Sequence, residues 1–360
     1  MSADISSLRM TRPYLPPEWA PQDAVMLTWP HYHGDWAAHI DEVDALFARL
    51  ACEIARRETV LIACHDDEHR AHVADLLMHS CADLNRVELY VAASNDSWVR
   101  DHGPVTVQQD GRAVLLDFVF NGWGGKYPAE LDNRVTRRLA EAGAFGNTPV
   151  EPVDLVLEGG SIEVDGAGSL LTTVSCLLSP GRNPGLGRFE LEERLRRHLG
   201  VERILWLEHG ALEGDDTDGH IDTLARFCND HTIAHVQCED PADTHYVPLQ
   251  AMQRELEALR RPDGSPYELI PLPLPAAIHD AEGRRLPATY ANFLILNQAV
   301  LVPVYGDPLD DLACDRLATA FPERELVALD CRPLIRQYGS LHCVTMQLPG
   351  GVLDGTGTRA

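Results

Sequence analysis

Four polar clusters in this sequence hold residue types that could do chemistry, each framed by Gly, Pro or Trp rather than by further charge. In GSLHCVTMQLPGG, residues 339–351, Cys343 follows His342. A cysteine becomes a nucleophile when its thiol pKa is lowered or a base stands near, and that base can come from far along the chain. His342 is a poor base for it, because a strand through this run would point the two side chains to opposite faces. A lone strand cysteine is, more commonly, a core residue. In EGDDTDGHIDT, residues 213–223, Asp216, Asp218, His220 and Asp222 alternate, so a strand would put all four on one face. That set suits a hard or borderline cation. Equally, His220 could be a general base beside Asp222, or the run an Asp-rich surface turn. It is not an EF-hand, since aligning Gly219 to the loop glycine puts Gly214 first and Ala225 last, losing two ligands. In LEGGSIEVDGAGSLLTT, Glu158 precedes Gly159 and Gly160, which let the backbone turn sharply or approach a ligand. Gly166 and Gly168 predict a hairpin turn. Neither this run nor GWGGK completes a phosphate loop, so nucleotide binding is excluded. The fourth cluster, NDSWVRDHGP, residues 95–104, alone reads as a solvated turn with an Asp96 cap and an Arg100 ion pair.

These clusters need elements to position them. Residues 39–58 place Ile40, Val43, Leu46, Phe47, Leu50 and Ile54 on one helical face. Two further helices stop at Gly143 and Gly200. Short apolar runs predict strands over 59–64, 87–92, 113–120, 169–178 and 299–305. The strand, strand, helix, strand pattern recurs without a break and predicts one continuous α/β domain over residues 1–360. The Pro-rich stretch 262–287 reads as an extended edge or covering loop rather than a boundary. With 30 Lys and Arg against 55 Asp and Glu, the formal charge is −25. That argues against nucleic acid and against an anionic membrane surface, and fits a small cationic substrate. Asp110 and Asp132 read as surface carboxylates. Nine cysteines without a CxxC pair argue against a disulfide framework or a structural zinc site. No leader-like run opens the chain and no apolar stretch spans a membrane, so the expected compartment is the cytoplasm.

Taken together the clusters become specific. The chain resembles the agmatine deiminase family, which includes the bacterial type of peptidylarginine deiminase, within the guanidino-group-modifying pentein superfamily. The resemblance runs from PPEWAPQDAVMLTWP to LPGG. It rests on DSWVRDHGP, FNGWGGK, LEGGSIEVDGAGSLLTT, GDDTDGHIDT, YANFLILN with VLVPVYGD, and GSLHCVTMQ, in that order. It implies a five-bladed α/β propeller with pseudo-fivefold symmetry and a site on the central axis. It implies Cys343 as nucleophile, His220 as general acid and base, and Glu158 as the carboxylate supporting that histidine. Asp101 and Asp222 resemble the pair gripping the substrate guanidinium. Trp98 and Asn292 match pocket positions, and Gly350 and Gly351 the segment beside the nucleophile. The chain departs from the family pattern at Glu163, where histidine is frequent, and at GSLHC, where Gly-Asn-Ile usually precedes the His-Cys pair.

The implied activity is hydrolysis of agmatine to N-carbamoylputrescine and ammonia, with no metal and no organic cofactor. A peptidylarginine or free-arginine deiminase would use the same thiol chemistry. A carboxylate- and histidine-ligated metallohydrolase, and a pentein-fold binding protein without catalysis, belong to different classes. The expected partner is a small guanidino cation, and assembly into a homo-oligomer is left open.

Overall fold

Short apolar runs become strands here, and the amphipathic stretches become the return paths between them. The computed structural model describes residues 12–80 and 84–353, so residues 1–11 of the run read for a leader lie outside it. The strands form five separate sheets. In the first, β1 (Gln22–Thr28), β2 (Thr59–Cys64) and β3 (Val87–Val91) run parallel, and the last strand of the chain, β16 (Met346–Pro349), pairs antiparallel with β1. The second holds β4 (Val105–Gln109), β5 (Arg112–Val119) and β6 (Val150–Val156). The third holds β7 (Glu163–Val164), β8 (Ser169–Thr173) and β9 (Arg203–Leu207). The fourth holds β10 (Ala225–Phe227), β11 (Thr232–Gln237) and β12 (Glu268–Pro273). The fifth holds β13 (Leu294–Ile295), β14 (Ala299–Val304) and β15 (Glu325–Asp330).

One scheme repeats in all five. A leading strand pairs antiparallel with the next, which then pairs parallel with a third. Antiparallel neighbours need only a tight turn, whereas parallel ones need a crossover. The turn between β4 and β5 is Asp110–Gly111, both at positive φ, as a two-residue hairpin requires. The crossovers carry the helices: α1 (Ile40–Ala55) and α2 (Asp67–Ser80) in the first sheet, then α3 (Val135–Glu141), α4 (Arg188–Leu199), α5 (Tyr246–Ala258) and α6 (Asp310–Ala320). Helix α1 buries Val43, Leu46, Phe47, Leu50 and Ile54, with Ile40 half-buried at the edge. Helix α4 ends at left-handed Gly200, where a Cβ would stand 1.5 Å from the Pro13 carbonyl oxygen. Only glycine fits there.

The structure shortens one predicted strand. The run 169–178 is extended only to Thr173, whose hydroxyl caps the helical turn Val174–Leu177. The proline-rich stretch contributes β12, an edge strand, where Pro271 and Pro273 need supply no ladder donor on the open side. None of the described helices is long and apolar enough to cross a membrane.

Candidate active site

The segments entering the five leading strands β16, β4, β7, β10 and β13 carry, respectively, Cys343, Asp101, Glu158, the His220–Asp222 pair and Asn292. The same position in each repeat thus supplies one part of a single buried cluster. Cys343 sits not on a strand but in the turn ahead of β16. Asn292 fixes it: the side-chain oxygen accepts the His342 and Cys343 N–H groups at 2.8 and 3.3 Å, and the amide nitrogen lies 3.3 Å from the thiol. The Cys343 Sγ lies 3.7 Å from Asp222 Oδ2. Burial, then the charges of Asp222 and Asp101, push this thiol well above its ordinary value. The unliganded site therefore holds a neutral thiol.

His220 is buried between two acids, with Nδ1 at 3.6 Å from Asp101 Oδ1 and Nε2 at 3.8 Å from Glu158 Oε2. These are ion-pair rather than hydrogen-bond distances. Burial opposes the imidazolium, but Asp101, Cys176 and Glu158 outweigh it and raise His220 well above its ordinary value. Glu158 is held in turn by Arg182, whose Nε lies 3.1 and 2.8 Å from its two oxygens and whose other nitrogens reach Asp218 and the Thr217 carbonyl. Asp101 accepts the Gly160 N–H at 3.0 Å and the Trp123 indole N–H at 2.9 Å. Burial first, with Asp222 and Glu158 adding to it, pushes Asp101 up to about 6. Gly160 is the keystone of this geometry. A Cβ there would stand 2.7 Å from His220 Nδ1, 2.9 Å from Asp101 Oδ1 and 3.0 Å from Asp222 Oδ2. A second buried thiol, Cys176, stands with Glu158 and His220, their ligating atoms within 4.8 Å of one another.

The strand that would have turned His342 to the opposite face from Cys343 is absent, and His342 belongs to the site, sharing Asp222 Oδ2 with the thiol. Its Nδ1 meets Asp222 Oδ2 at 2.8 Å and its Nε2 meets Glu18 Oε1 at 2.8 Å. Glu18 also takes Arg100 at 3.0 Å, Gln347 at 2.9 Å and, at Oε2, Arg226. Arg226 further pairs with Glu163, which accepts the Phe227 N–H at 3.2 Å. Glu163 is thus spent on Arg226, outside the Gly160 cluster. Against its burial, Arg226, His342 and Arg100 hold Glu18 well below the usual carboxylate range. Sequence reasoning missed Glu18, Arg100, Arg182 and Arg226 as parts of the site.

A pocket opens on Cys343, lined by Trp98, Trp123, Tyr127 and Tyr338 and by Asp35, Asp96, Asp101 and Asp216, with no basic residue in its lining. Asp96 accepts the Trp36 and Trp98 indole N–H groups at 2.7 and 3.0 Å, and burial pushes it up to about 6. Gly339 lies under Trp98, where a Cβ would come within 2.2 Å of the ring.

Four expectations need correction. The run 213–223 is not a strand: Gly214, Asp218 and Gly219 take positive φ, and Ile221–Thr223 is a 3₁₀ turn. Asp216 therefore meets Tyr127 and Asp218 meets Lys126 and Arg182, while His220 and Asp222 turn inward. The four do not form one metal-binding face. Gly350 and Gly351 lie beyond β16, bonded to Pro21, Gln108 and Asp23, none of which lines the pocket. Asp132 is buried, accepts the Asn95 and Asp96 N–H groups at 2.7 and 3.2 Å, and is pushed up to about 7 by burial. The strand predicted through Cys343 begins only at Met346.

What the fold and site define is a mixed α/β protein with a cysteine, a histidine and three carboxylates gathered from separate sheets. The chain belongs to the Porphyromonas-type peptidyl-arginine deiminase family, whose profile matches residues 14–349. It is 34% identical to the agmatine deiminase of Stutzerimonas stutzeri, over 97% of this chain and 99% of that protein. A crystal structure of the putative arginine deiminase from Porphyromonas gingivalis superposes with a TM-score of 0.89 at 51% identity, covering 94% of this chain and 99% of that one. A cysteine-to-serine variant of C. jejuni agmatine deiminase with substrate bound superposes at 0.86 and 38% identity, covering 93% and 96%.

Proposed function

We propose that this chain is an agmatine deiminase, hydrolysing agmatine to N-carbamoylputrescine and ammonia through a covalent intermediate on Cys343. In this reading the five sheets are blades of a propeller with pseudo-fivefold symmetry, residues 1–360 are one catalytic domain, and the enzyme works in the cytoplasm. The observation that carries it is the convergence of Asp101, Asp222 and His220 on one point beside the thiol. A guanidinium presents N–H donors along its edges, and two carboxylates hold it by paired, charge-assisted hydrogen bonds. Asp222 Oδ1, buried and without a hydrogen-bond partner, is ready to accept one of them.

The bound cation offsets the two negative charges that keep Cys343 neutral, so substrate itself lowers the thiol pKa. As the cation binds, the Cys343 proton leaves to solvent; the thiolate then attacks the central carbon and forms a C–S bond while the C=N π pair moves onto nitrogen. His220, positively charged between Asp101 and Glu158, protonates one terminal nitrogen; the C–N bond breaks and ammonia leaves. Water then gives a proton to His220 and adds to the same carbon. The C–S bond breaks, the thiol is restored, and the ureido product departs. Every step uses side chains of this chain. Agmatine is favoured over arginine because the lining offers its far ammonium Asp35, Asp96 and Asp216, whereas an α-carboxylate finds no cation among the described lining residues.

A panel of agmatine, arginine and a blocked arginine peptide, scored for ammonia and ureido product, tests the substrate. Faster turnover of arginine overturns that part. Cys343→Ser should be folded and inactive, and a quenched wild-type reaction should carry its adduct on Cys343. An adduct on Cys176 would overturn the nucleophile.

A further inference from the structure

The C-terminal ends of β1 and β2 lie side by side, Thr28 opposite Ala63. Just beyond them the chain places His31 and His33 on one side and His65 and Asp66 on the other, with His69 one turn into α2. Ring centroids of His31 and His65 are 4.3 Å apart, of His33 and His65 5.1 Å, and of His31 and His33 5.9 Å.

We propose that His33, His65 and Asp66 form a binding site for a borderline divalent transition metal, separate from the Cys343 pocket. Their ligating atoms already lie within 4.8 Å of one another. Exposed His33 can close the remaining gap by side-chain rotation, since metal–nitrogen bonds of about 2.1 Å require ligands somewhat closer than this. The second layer is in place. His65 Nδ1 lies 3.1 Å from the Ser94 carbonyl, which fixes the tautomer and leaves Nε2 for the ion. Asp66 is anchored by the His69 N–H at 2.8 Å and forms no ion pair with Lys or Arg among the described residues. His31 donates from Nε2 to the same Ser94 carbonyl at 3.2 Å, so its buried Nδ1 keeps a lone pair with no partner inside the cluster. Imidazole with one carboxylate selects zinc, cobalt or nickel over calcium or magnesium. Two other groups of His, Cys and acid, Glu158–Cys176–His220 and Glu18–Glu163–His342, have comparable spacing. Their carboxylates are already neutralised by Arg182 and Arg226, which disfavours a further cation there.

Cobalt(II) titration of the full-length, metal-free protein tests this, read by calorimetry and by the visible spectrum. The expected result is one ion per chain with weak visible bands and no sulfur-to-cobalt charge-transfer band. His33→Ala, on the surface, should weaken binding by more than about tenfold, and His65→Ala likewise. The distant His79→Ala should bind as the parent does. Absence of binding, a charge-transfer band, or undiminished binding by His33→Ala would each overturn the proposal. Because the readout is occupancy, the result is independent of which guanidine the enzyme hydrolyses.

Discussion

Replacing Asp101 by Asn should make stability less sensitive to rising pH than it is in the wild type while nearly abolishing turnover. Asp101 rises from an ordinary 3.8 to about 6, and its burial is complete, so no solvent screening dilutes the effect. Roughly two pKa units correspond to about 3 kcal/mol of preference for the protonated form in the folded protein. A carboxyl whose folded value is raised contributes its full stability below the unfolded value, near 4, and loses that contribution as pH rises through about 6. Asn carries no charge but keeps one acceptor for the Gly160 and Trp123 N–H groups, so its NH2 leaves one of these donors unpaired. The variant should therefore lie about 1–3 kcal/mol below the wild type near pH 4 and recover about 2–3 kcal/mol relative to it by pH 8. Activity should move the other way. Removing one of two buried partners of a guanidinium costs about 3–5 kcal/mol, a fall in kcat/KM of several hundredfold or more. In the wild type, kcat/KM should fall tenfold per pH unit below about 6 as Asp101 takes its proton. Denaturant melts across pH 4–8 and steady-state kinetics on agmatine measure both. Exposed Asp110→Asn is the control, with an expected effect of about 0–1 kcal/mol. A kcat/KM within tenfold of wild type, together with no alkaline gain in stability, would refute the placement of a charged Asp101 against substrate.

Gly160→Ala should cost at least about a hundredfold in kcat/KM, because its methyl would occupy the point where three polar atoms converge. Its melting temperature should fall too, since the methyl would press on three buried side chains at 2.7–3.0 Å; near-normal agmatine kinetics in the folded variant would show that the guanidinium binds elsewhere. Glu18→Gln should destabilise the fold by about 1–3 kcal/mol at pH 7, because Arg100 loses its carboxylate and Arg226 is left with Glu163 alone. Since Glu18 is held below the usual range, its contribution is complete above about pH 4.5 and is lost as pH falls through its folded value, so urea melts of variant and wild type should converge in strong acid.

The chemistry-bearing positions were legible because motif order survives in the sequence even when geometry does not. Cys343, His220, Glu158, Asp101, Asp222, Trp98 and Asn292 all come to one buried cluster or to the pocket beside it. The local geometry was less legible. Alternation put Asp216 and Asp218 beside His220, but that rule presumes extended backbone, and three positive-φ residues between 214 and 219 break it. Asp132 looked like a surface acid because nothing nearby in sequence reveals that it receives the backbone of residues 95 and 96. Glu18 was invisible for the same reason at greater range: it meets His342 across 324 positions, from a Pro-Pro-Glu-Trp stretch with no periodicity. Gly350 and Gly351 were assigned from the resemblance, as the segment beside the nucleophile, and β16 carries them away from it. The helices and most strands were legible because amphipathic period and glycine stops act locally.

The pairing of β16 with β1 ties the order of synthesis to the appearance of reactivity. A ribosome releases the second, third, fourth and fifth sheets complete, but the first waits for the final strand to arrive beside Gln22–Met26. Cys343 lies just upstream of that strand, and Asn292 can fix it only once the closing segment has docked. The last part of the chain to emerge thus brings the thiol and closes the ring of contacts around it at once. On the proposed function, a chain truncated before β16 would carry its carboxylates and histidine without a positioned thiol and would be inactive.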